Sequence, residues 1–75
     1  MTKMQRLVLD KLLGGWTLYR QSGTHGAHAW LEKQEERISV HERTLRSLEK
    51  AGNIKRVSTE RVGVLLYRST FTLRS

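Results

Sequence analysis

Apolar residues fall at helical spacing in two stretches of this chain, and the stretches between and after them alternate as strands do. Met4, Leu7, Val8 and Leu12 share one helical side, the three-to-four-residue recurrence of an amphipathic helix. Thr2 and Gln5 stand three apart in front of that side, the spacing of a capping box, and Gly14-Gly15 follows as a stop. Trp16 to Gln21 carries Trp, Leu and Tyr in rough alternation and reads as a strand, with Ser22 to Gly26 as a turn. The second helical stretch has Thr44, Leu45, Leu48 and Ala51 on one side. Ser39 and Glu42 have the spacing of its capping box, and Gly52 supplies its stop, with Lys50 near the negative helix end. Asn53 to Ser58 then reads as a strand, Thr59 to Gly63 as a loop, and Val64 to Leu73 as a return strand. Leu65, Tyr67, Phe71 and Leu73 fall on one face of that return strand.

Ala27 to Arg37 supports two readings. Its Ala, Leu, Glu, Lys and Gln suit a helix with Ala27, Trp30 and Leu31 on one side. Alternatively, Ala27 to Lys33 closes a β-hairpin with Trp16 to Gln21, turns at Gln34 to Glu36, and continues as a short strand at Arg37 and Ile38. The hairpin is preferred, because a helix here would turn Glu35 toward a partner helix.

Charge changes the picture of the second helix. Arg43, Arg46 and Lys50 fall within an arc of roughly 60° opposite the apolar side, flanked by Glu42, Glu49 and Ser47. A solvated surface helix has the same look, so the arc alone does not separate function from solubility. The distribution along the chain does more. Residues 1–42 hold six Lys and Arg against five acids, whereas residues 43–75 hold eight against two, so +6 of the net +7 lies in the second part. A concentrated positive field attracts a polyanion through counterion release. Nine of the fourteen cations are Arg, whose planar fork matches phosphate and guanine.

Length and composition bound the remainder. Seventy-five residues make one domain with a small core. Without Cys there is neither a disulfide framework nor a thiolate metal site. No apolar run approaches the ~20 residues of a membrane span, and no apolar stretch of a signal peptide is evident, so the expected setting is the cytoplasm of a bacterial, archaeal or virus-infected cell. His25 and His28 have H-x-x-H spacing and His41 offers a third ligand, but a zinc site needs further ligands and partners that orient them, so no metal site is expected. Asp10 is the only Asp, which argues against a nucleophilic triad. No catalytic residue, cofactor or small-molecule ligand is expected. Trp16, Tyr19 and Trp30 read as core, with a stacking platform for single-stranded nucleic acid as the alternative.

The order Thr44-Leu45-Arg46-x-Leu48-x-x-x-Gly52-x-Ile54-x-Arg56 resembles the stretch from recognition helix to first wing strand in winged helix-turn-helix regulators, among them small regulators of phages and mobile elements. The resemblance implies an α+β fold of winged-helix type: an N-terminal helix, a β-hairpin or second helix, a recognition helix, and a C-terminal hairpin wing. It further implies sequence-specific binding of double-stranded DNA in transcription regulation, with Arg43, Arg46, Ser47 and Lys50 at the major groove and Lys55, Arg56 and Arg61 on flanking phosphates. A homodimer is compatible with it. The competing expectation is an accessory protein whose basic face grips an acidic host protein.

Overall fold

Seven elements follow one another in the computed structural model, which describes residues 1–74: α1 (Lys3–Leu13), β1 (Thr17–Gly23), β2 (Gly26–Lys33), β3 (Glu36–Val40), α2 (Glu42–Lys50), β4 (Ile54–Gly63) and β5 (Leu66–Leu73). The five strands form one antiparallel sheet in the order β3-β2-β1-β5-β4. Each of its three hairpins closes through two residues, Thr24 and His25, Gln34 and Glu35, and Val64 and Leu65.

Thr2 caps α1 as the spacing predicts: its hydroxyl accepts from Gln5 N at 3.1 Å, and Thr2 N donates to the Gln5 side chain at 2.9 Å. The cap of α2 is a correction. Ser39 lies in β3 opposite Trp30, and His41 Nδ1 accepts from Arg43 N at 3.2 Å to open the helix at Glu42. A side chain committed to an extended ladder cannot also sit at a helix N-cap. Gly52 closes α2 with φ +81°, a conformation L-residues with a side chain rarely adopt, and Ala51, expected on the apolar side, is an exposed C-cap.

Both helices cover one face of the sheet. Val8 from α1 and Leu45 and Leu48 from α2 pack with Leu18, Leu31, Ile54 and Phe71 from four strands, all buried. Register explains the selection. Leu18 stands opposite Leu31 on one side and Phe71 on the other, so one row of inward side chains crosses the middle of the sheet. The next row, Val40, Ala29, Arg20, Ser69 and Thr59, turns polar toward β4, where Thr59 and Ser69 share a hydroxyl hydrogen bond of 3.1 Å.

This architecture overturns the winged-helix expectation. Residues 27–33 and 36–40 form strands, as the preferred hairpin reading has it, so the second helix of a helix-turn-helix is absent among the described residues, and α2 packs on a sheet instead of on a helical pair. The supposed wing is no projecting arm, because β5 pairs with β1 from Leu18 to Ser22 and half of the sheet is built on that pairing. Thr59 to Gly63, expected as a loop, continues β4, and Val57 bulges where the register slips between Arg56 and Ser58. β4 is an edge strand exposed along most of its length, which removes the burial alternation that would have marked it. Thr17 to Tyr19 opens β1, the central strand, and offers no free edge for a dimer.

Candidate nucleic-acid interface

The side of α2 that faces away from the sheet carries Arg43, Arg46 and Lys50, all exposed, with Ser47 half-buried beside them. They border a shallow groove of ≈ 380 Å³ that His41 and Glu42 complete. Glu42 does two jobs. It accepts from Arg20 Nε at 2.9 Å, which pins the start of α2 to β1, and it stands 3.3 Å from the Arg46 guanidinium one turn on. Donation from Arg20, reinforced by the charges of Arg20 and Arg46, holds the Glu42 carboxyl below its ordinary range.

The cations predicted from sequence do not form one surface. Arg56 faces the helical side, its guanidinium 5.5 Å from the centre of the Phe71 ring, whereas its neighbour Lys55 points to the opposite face. Arg61, expected in a wing loop, lies in β4 opposite Tyr67 and donates Nε to Gly63 O at 3.2 Å. Arg43, Arg46, Ser47, Lys50, Arg56 and Arg61 therefore share the helical side, and Lys55 does not.

Charge separates the two sides as unevenly as it separates the two parts of the sequence, +6 against +1. Ten cations lie on the helical side (Lys3, Arg6, Lys11, Arg20, Lys33, Arg43, Arg46, Lys50, Arg56, Arg61) against Asp10, Glu36, Glu42 and Glu49, a net of +6. The bare face of the sheet holds Arg37, Lys55 and Arg68 against Glu32 and Glu60, a net of +1.

That bare face carries Tyr19 and Trp30, which the sequence marks as core with a stacking platform as the alternative. Tyr19 and Trp30 stand opposite each other across β1 and β2 with ring centres 5.5 Å apart, and His28 stacks on Trp30 at 5.4 Å. Arg37 lies 4.9 Å from the Trp30 ring, and Arg68 lies 5.5 Å from Trp30 and 5.7 Å from Tyr19. Glu32 accepts from Arg37 Nε at 3.2 Å and from the Trp30 indole at 3.3 Å, and the Arg37 bond pulls its carboxyl down. The alternation of His28, Trp30 and Glu32 was the signal for this face, and it was available only once the strand reading of 27–33 was adopted. Trp16 takes the other path and packs beside the core under Lys11.

Among the described residues no three His, Asp or Glu side chains converge as metal ligands, and no helix is long and apolar enough to cross a membrane. No family model, curated protein or solved structure matches the chain.

Proposed function

We propose that this chain binds double-stranded DNA through its helical side, with α2 at the major groove. The observation that carries the proposal is the +6 concentrated on that side, with Arg43, Arg46 and Lys50 presented on an exposed arc. A helix such as α2 is about 10–12 Å across with its side chains, which matches a major groove about 12 Å wide. Arg43 and Lys50, free of acid partners within 4.0 Å among the described residues, supply phosphate contacts, as do Arg56 and Arg61 from the β4 edge. Arg46 is oriented by Glu42 and is assigned the base-reading role, with Ser47 beside it as a hydroxyl partner. This is a sheet-supported helix rather than a winged helix. Its setting is a compartment that holds DNA, the cytoplasm of a bacterial, archaeal or virus-infected cell.

Anisotropy titration of a labelled mixed-sequence duplex tests the reading. With four to six phosphates neutralised, log K should fall against log salt with a slope of roughly −4 to −5, and Arg43→Ala or Lys50→Ala should each reduce that slope by about one. Arg46→Ala should remove about 1–3 kcal/mol of preference between a selected site and scrambled DNA. No binding to duplex at low ionic strength would sink the proposal.

A further inference from the structure

The bare face of the sheet has an arrangement that stability alone does not require. Trp30 is only 4% exposed although no helix lies over it. It is covered by Arg37, Arg68, His28 and Tyr19, so the outer surface consists of two guanidinium planes and two rings rather than of apolar side chains. Arg68 is the centre of this surface. It comes from β5, stands opposite Gln21 and Glu60 in the ladder, and leans over both Tyr19 and Trp30. It has no ion-pair partner within 4.0 Å among the described residues, its Nε is buried without a hydrogen-bond partner, and its one side-chain bond is a 3.3 Å contact to Gln21. A half-buried guanidinium that lies beside two rings and forms no ion pair among the described residues is set up to receive an anion from the solvent side.

We infer that this face is a second nucleic-acid site, one for an unpaired strand, in which bases stack on Tyr19 and on the guanidinium planes of Arg37 and Arg68 while Arg68 and Lys55 meet the phosphates. Flat π surfaces next to fixed cations are what a single strand recognises, since its bases are free to splay onto them. A duplex presents only its backbone to so flat a surface. Of the acids on this face, Glu32 is already held by Arg37 and the Trp30 indole, and Glu60, although opposite Arg68 in the ladder, forms no ion pair with it within 4.0 Å. The inference is independent of duplex binding on the helical side, because it uses none of the same residues.

The test uses labelled dT15 and a mixed-sequence duplex, with Trp30 as an internal reporter in a Trp16→Phe background. Expected results are saturable dT15 binding at low salt, a change in Trp30 emission on saturation, and a weakening of dT15 affinity by at least about fivefold in Tyr19→Leu and in Arg68→Gln, with duplex affinity unchanged. Arg68→Lys, which keeps the charge and loses the plane, should fall between. Arg43→Ala should leave dT15 binding as it is. Absence of dT15 binding, or Trp30 emission indifferent to saturating dT15, would overturn the inference even if the variants failed to fold. So would equal loss of dT15 and duplex binding in Arg43→Ala, which would assign both to the helical side. Trp30 emission that shifts with protein concentration alone would assign the face to a second copy of the chain instead.

Discussion

Leu18, Leu31 and Phe71 on one face of the sheet and Trp30 on the other are all at most 4% exposed, yet they are buried by different means. The first three lie beneath α1 and α2 in a layer closed to water, where each methylene displaced from solvent stabilises by about 0.8 kcal/mol and any void left behind adds its own penalty. Trp30 lies beneath arginines, a histidine and a tyrosine that remain in contact with water at their outer edges. The two faces share the same strands and the same alternation, so what separates them is the chemistry of the cover. An aliphatic cover makes a core, whereas a cationic and aromatic cover makes a surface that another molecule can read.

The sharpest way to break this comparison is to delete one large side chain from each face. Phe71→Ala should cost about 3–5 kcal/mol in urea unfolding, because the cavity lies under two helices and cannot fill with water. Trp30→Ala should cost about 1.5–3 kcal/mol, the transfer contribution without a closed cavity, since Arg37 and Arg68 can settle into the space or water can enter it. Equal losses would mean that the bare face is sealed as tightly as the core and is not poised to receive a ligand. Smaller effects are expected from Glu42 and Glu32, one on each side, each held below its ordinary carboxylate value of 4.5 chiefly by an arginine donor. A carboxyl with a depressed folded pKa contributes stability that is present above the unfolded value and is lost as pH falls through the folded one. Glu42→Gln and Glu32→Gln should therefore lower Tm slightly at neutral pH, and the gap from the unaltered protein should close below about pH 4.5. A gap that persisted in acid would show that the carboxylate charge was not its source. Glu42→Gln should have the larger effect of the two, because its arginine, Arg20, is half-buried and ties α2 to β1, whereas the Arg37 side chain is 62% exposed.

Local chemistry was legible wherever a few neighbouring residues decide the outcome. The Thr2 cap, the Gly52 stop and the apolar pair Leu45 and Leu48 depend on backbone geometry within a turn or two, and the structure bears each of them out. The misread segments all depend on a distant partner. Ser39 had cap spacing but is drawn into the ladder by Trp30, nine residues back, and His41 takes its place. Thr59 to Gly63 is polar enough for a loop, yet it is extended because Ser69 to Leu66 lies alongside it. Arg68 looked like one more cation of the basic second part, and only the pairing of β5 with β1 sets it over Tyr19.

By itself the sequence determined the two helices, the strand-rich remainder, the basic excess and the exposed arc of Arg43, Arg46 and Lys50, because helical periodicity and net charge are properties of contiguous residues. Tertiary structure alone decided that the last hairpin belongs to the same sheet as the first, that Lys55 and Arg56 face opposite ways with respect to the helices, and that Tyr19, Trp30 and Arg68 meet. Strand order and register are set by contacts across as many as 53 residues of chain, from Leu18 to Phe71, and shifting a register by one position would exchange the two faces without altering any local preference.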